Sequence, residues 1–64
     1  DVLIWRAFAQ NSLGKDYHEN GNRDLAEAAL NDALQIYNDS GQIARLKDLR
    51  EYMKANNYQE IKDA

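Results

Sequence analysis

Apolar residues recur along this chain at the three-to-four residue spacing of helices that bury one face. Leu25, Ala26, Ala29, Leu30, Ala33, Leu34, Ile36 and Tyr37 form one such stripe; Ile43, Leu46, Leu49, Tyr52 and Met53 form another. The first stretch differs. Val2, Leu3, Ile4 and Trp5 are consecutive and are followed by Ala7, Phe8 and Ala9, so this end is apolar all the way round. The pattern predicts helices over residues 2–20, 23–38 and 42–55, then a short polar one over 58–63 with Tyr58 and Ile61 one turn apart. The expected fold class is therefore all-α, with about four helices.

The breaks are chemically marked. Glu19, Asn20, Gly21 and Asn22 interrupt two helical patterns. Gly21 can take the positive φ that suits the residue just past a helix end. Asn22 can offer its side-chain oxygen to the free N–H groups of the next helix. Asp24 and Glu27 then place negative charge where the helix dipole favours it. So short a connection makes the two helices antiparallel neighbours. Gly14, Ala26, Ala29 and Ala33 are small enough for close approach, and Tyr17 is large enough to fill the remaining seam between the helices. Asn38, Asp39, Ser40 and Gly41 form the second break, and Asn56 and Asn57 the third.

These residues resemble the tetratricopeptide repeat, a helix–turn–helix of about 34 residues with the pattern W-x2-L-G-x2-Y…A-x3-F…P. Leu13, Gly14 and Tyr17 match, Gly21 stands at the turn, and Ala26 and Ala33 hold the later small positions. Gln10 replaces the tryptophan, Leu30 the aromatic and Asn38 the proline, and the chain has no proline at all. One unit covers about residues 7–40. A shift of 35 residues lays Lys15, Asp16 and Tyr17 on Arg50, Glu51 and Tyr52, and Asn22 on Asn57, which outlines a weaker and partial second unit over about 42–64. There Asp48 and Leu49 replace Leu-Gly, and Asn56 stands for the turn glycine. The expected organisation is one module, residues 1–64, of antiparallel hairpins stacked as repeats, a piece of a longer array.

The resemblance implies a protein-interaction scaffold whose first helices line a concave groove. By register the groove would show Phe8, Asn11, Lys15, His18 and Glu19, joined in the second copy by Ile43, Leu46, Arg50, Met53 and Lys54. Lys15 and Arg50 would share one cationic strip, suited to a peptide or protein that carries acidic residues and one or two apolar anchors. The family's carboxylate clamp is not implied, because Asn11 and Lys15 stand in the reverse order. The alternative is a structural module for oligomerisation or for capping an array, with no groove ligand. Val2, Leu3, Ile4 and Trp5 would then meet a second copy or a neighbouring repeat.

Composition narrows the classes. Sixty-four residues allow one small core, and a chain of this size buries only about 60% of its unfolded surface. No cysteine is available as a staple, so stability rests on close helix packing or on association. The absence of cysteine leaves the redox compartment unread; the cytoplasm is favoured. Net charge is −3, and residues 22–39 alone carry −3. That argues against nucleic acid, since a recognition helix approaches phosphates with lysine and arginine. The apolar start is too short for a membrane span, which needs about 20 residues, and it lacks the basic flank of a signal peptide. His18 is the lone histidine; a zinc site wants three or four ligands. Ser12 and Ser40 have no histidine at a spacing that suggests activation. No nucleotide fingerprint is present. No catalytic site, metal or cofactor is expected, and the chain is read as a non-enzyme.

Overall fold

The computed structural model describes residues 2–61. It is all-helical, with three helices in the order α1 (Val2–Glu19), α2 (Arg23–Asp39) and α3 (Ile43–Ala55). The expected boundaries hold to within a residue. Helix α2 lies at the centre. Ala26, Leu30 and Ala33 are wholly buried, and Ala29, Leu34, Ile36 and Tyr37 are nearly so, which covers most of the helix circumference. Leu46, Leu49 and Met53 of α3 pack on one flank, and Ala7 and Gly14 of α1 on another. Helix α1 runs antiparallel to α2: Gly14 meets Ala26 and Leu30, and Gln10 Nε2 donates to Asp32 Oδ2 at 2.8 Å. Arg6 closes the same rim with a forked pair of bonds to Asp32, 3.1 and 3.2 Å. Helices α1 and α3 run parallel beside each other, with Phe8 beneath Arg45 and Lys15 above Tyr52.

All three helices end by one device. The N–H groups of Asn22, Gln42 and Tyr58 donate to the carbonyls of Tyr17, Tyr37 and Met53 at 2.9, 2.9 and 2.8 Å. In each case the residue between helix and donor is left-handed: Gly21 at φ 79°, Gly41 at 69° and Asn57 at 62°. This is the Schellman closure, in which glycine or asparagine is tolerated where other side chains strain. Two expectations change here. Asn57, not Asn56, is the counterpart of Gly21, so the helix ends are offset by 36 residues rather than 35. Asn22 makes no side-chain cap. Its backbone, at φ −91° and ψ 71°, is outside the extended conformation from which a capping side chain reaches the helix, and its N–H already closes α1.

The fourth helix does not form. Residues 58–61 carry no helical assignment, and the expected helix's remaining positions, 62 and 63, lie outside the described residues. An isolated helix of so few residues gains too few hydrogen bonds to repay nucleation. The backbone instead finds partners on α2, as described below. Two other positions differ from the expected seam. Leu13 is exposed, and Tyr17 is half-buried at the edge of the core rather than enclosed. The seam is sealed by Leu30 lying directly against Gly14, with Ala26 beside it, so no second large side chain is needed inside it.

Gly14 measures how tight that contact is. A Cβ added there would lie 2.7 Å from Leu30 Cδ2 and Cγ and 3.3 Å from the Ala26 carbonyl oxygen. Leu30 is wholly buried and has nowhere to turn. Replacing a helical glycine with alanine normally gains about 1 kcal/mol. Here Gly14→Ala is expected to destabilise the fold by about 1–3 kcal/mol, the cost of overpacking. Chemical denaturation of the variant beside the parent chain measures the sign directly.

Candidate functional site

The ten groove candidates do not share one surface. Phe8, Asn11 and Lys15 line a cleft of about 380 Å³ between α1 and α3, together with Ser12, Tyr37, Arg45, Asp48 and Leu49. Ile43, Leu46, Arg50, Met53 and Lys54 line a second cleft of about 590 Å³, closed on its far side by Tyr58 and Glu60. The two clefts flank the buried stripe of α3 on opposite sides. Along α3, positions 45, 48 and 49 turn toward α1, whereas 43, 47, 50 and 54 turn away. Lys15 and Arg50 therefore do not form one cationic strip. A 35-residue shift equates them in sequence, but the helix ends require 36, and one residue rotates a helical side chain by about 100°.

In the first cleft the cations lie on aromatic faces. Lys15 Nζ stands 5.0 Å from the Tyr52 ring centre, and Arg45 Cζ 4.7 Å from that of Phe8. Phe8 is held in turn by Trp5, edge-on at 5.7 Å, and by Tyr37 at 6.3 Å. Cation–π contact holds a positive charge at a fixed place without neutralising it. Asn11 stands on the same wall. Its Oδ1 is buried and has no hydrogen-bond partner, a condition that native structures seldom leave unexplained. Asp48 supplies the one carboxylate of the lining. Arg45, Tyr52 and Asp48 were not among the sequence candidates; their approach to α1 depends on how α3 is rotated, which the spacing alone did not reveal.

His18 and Glu19 belong to neither cleft. Glu19 is exposed. His18 Nδ1 hydrogen-bonds the Tyr58 hydroxyl, and its ring meets Tyr52 and Tyr58 edge-on at 6.0 and 5.4 Å. It fastens the end of α1 to the segment after α3. At the other end of α1, Val2 is 82% and Trp5 70% exposed, with Leu3 and Leu13 also open, so the chain's own core does not cover this face. Val2, Trp5, Ala9 and Leu13 fall on one side of the helix as an outward apolar stripe.

No family model, curated protein or solved structure matches this chain in comparisons with known proteins.

Tyr52, where α1 and α3 meet, has its phenol pushed above the ordinary value of 10.0, by burial first, then by Tyr58 and Glu19. The native state holds that proton more tightly than the unfolded chain does. Its contribution to stability is therefore complete below pH about 10 and declines as pH rises through the native value. An ultraviolet titration should contain a late tyrosinate component that Tyr52→Phe removes; an unchanged titration curve would show that Tyr52 ionises like a free phenol.

Proposed function

We propose that this chain is a helical protein-interaction module, similar to tetratricopeptide repeats, that holds an acidic peptide segment in the α1–α3 cleft. The observation that carries the reading is the pair of cations, Lys15 and Arg45, each presented on an aromatic face at one cleft that Phe8 and Asn11 also line. A peptide backbone laid along the cleft runs between them. The two cations suit carboxylates on either side of it, and Phe8 offers an apolar contact. The repeat-like reading draws support from the parallel course of α1 and α3: Lys15 meets Tyr52 and Phe8 meets Arg45, at separations close to one repeat. Ligand recognition in such a cleft needs no catalytic group.

The test is a panel of capped acidic peptides carrying one aromatic or aliphatic anchor, titrated against the full chain by fluorescence anisotropy. Lys15→Glu with Arg45→Glu is expected to weaken the best binder at least tenfold and to flatten its salt dependence, with helix content preserved. Equal affinity and equal salt dependence in parent and variant would remove the cleft as the site.

A second reading has its own observation, the outward stripe of Val2, Trp5, Ala9 and Leu13 on α1. It favours association with a second copy or with a neighbouring repeat, in which case the module's role is oligomerisation or array building. Exposed apolar stripes on a small helical unit mark contact surfaces. Raising the concentration through the micromolar range should increase the scattering mass and shift Trp5 emission to the blue, and Leu13→Lys, which keeps the single tryptophan as reporter, should abolish both changes. A monomer with solvent-exposed Trp5 emission at every concentration would leave the stripe without an interaction role.

A further inference from the structure

Helix α2 carries polar side chains four residues apart, Arg23, Glu27 and Asn31, and each of them holds the main chain of the segment after α3. Arg23 Nη2 donates to the carbonyls of Asn56 and Asn57 at 2.8 and 3.3 Å. Glu27 Oε2 accepts the N–H of Gln59 at 2.9 Å. Asn31 bonds in both directions: Nδ2 donates to the Gln59 carbonyl at 2.9 Å, and Oδ1 accepts the N–H of Ile61 at 2.8 Å. A second proton of that amide donates to the Glu27 carbonyl at 2.9 Å, which fixes the carboxamide in place. Asn31 is nearly buried, and both of its amide protons and its oxygen are engaged.

The spacing is physically matched. Four residues of helix advance about 6 Å, and two residues of extended chain advance about 6.6 Å. Side chains at i, i+4 and i+8 of a helix can therefore meet an extended backbone at every second residue. These contacts read main-chain groups and so ask only for extension. Selectivity comes from the side chains between them. Tyr58 is buried beneath Arg23, whose Cζ lies 4.3 Å from the ring centre, and Glu60 accepts three bonds from Arg50, two from Nε and one from Nη2, the shortest 2.8 Å.

We propose that Arg23, Glu27 and Asn31, with Arg50, form a recognition site for an extended peptide of the type aromatic, any residue, acidic, any residue, and that Tyr58–Ile61 is the occupant built into the chain. The same segment presented on a separate peptide is then a ligand for this site. The site lies apart from the α1–α3 cleft and does not depend on it.

Two measurements on the full chain test the proposal. In the parent protein the amides of Gln59 and Ile61 should exchange at least tenfold more slowly than in an unstructured peptide, and Asn31→Ala should remove the protection of Ile61. A tethered segment competes at an effective concentration in the millimolar range, so peptide capture is measured on Glu60→Arg, which sets Arg50 against the chain's own tail. A capped peptide of residues 56–61, Asn-Asn-Tyr-Gln-Glu-Ile, should bind this variant at least tenfold more tightly than a scrambled one, moving the Asn31 side-chain amide resonances. Resonance changes confined to Phe8, Asn11 and Lys15 would instead mark the α1–α3 cleft and count against the proposal. Should Asn31→Ala lose helix content, charge exchange decides: Arg50→Glu must prefer the peptide with lysine in place of its glutamate. Unprotected amides, equal binding of the scrambled peptide, or no reversal on charge exchange would each overturn it.

Discussion

The approach of α1 to α2 at Gly14 is the constraint from which the rest of this structure follows. Leu30 occupies the space that a Cβ at position 14 would need, so the two helix axes draw together at a place where α1 carries no side chain. In a chain this short the apolar surface available for burial is small. Concentrating it around one helix is an economical use of it. Ala26, Leu30 and Ala33 let α2 be covered from several directions, and α1, α3 and the segment after α3 each contribute a side.

That arrangement has a consequence for α1. A helix that meets its partner through Ala7 and Gly14 has no use for large apolar side chains on its contact face. Val2, Trp5 and Leu13 are therefore turned outward, and Phe8 is left at the boundary, where Trp5, Tyr37 and Arg45 surround it. The clefts arise in the same way. Helix α3 buries only the narrow stripe of Leu46, Leu49 and Met53, which leaves a recess on either side. Helix α1 lines one, and the extended segment closes the other.

How far these features can be read from the sequence depends on the length scale of the physics behind them. The three helices were legible because periodicity and the glycines at 21 and 41 are local signals. The closeness of α1 and α2 was legible because small residues at positions 14, 26 and 33 serve no other purpose in a helix pair. Helix rotation was not. Placing Lys15 and Arg50 on one surface required the period to be known to within a residue, and the equivalence of Gly21 with Asn57 moved it by one. The hydrogen bonds of Asn31 were hidden for a different reason. A lone asparagine in a helix usually faces water, and its partners here lie 28 and 30 residues away.

The segment after α3 shows how a backbone chooses between two ways of satisfying its polar groups. A short helix at residues 58–63 would leave its first N–H groups unpaired and would have to pay for nucleation over very few residues. The extended course supplies partners from outside. Glu27 and Asn31 take the N–H groups of Gln59 and Ile61, and Asn31 also serves the Gln59 carbonyl. Tyr58 meanwhile enters the core beside Met53. These partners are already ordered on α2, so the segment gains hydrogen bonds without requiring new structure from its neighbours. The left-handed Asn57 makes the change of course possible: it ends α3 and redirects the chain across α2 within a single residue. An alanine-like residue at that position would resist the conformation by about 1–2 kcal/mol, so asparagine there serves both the end of α3 and the start of the extended segment.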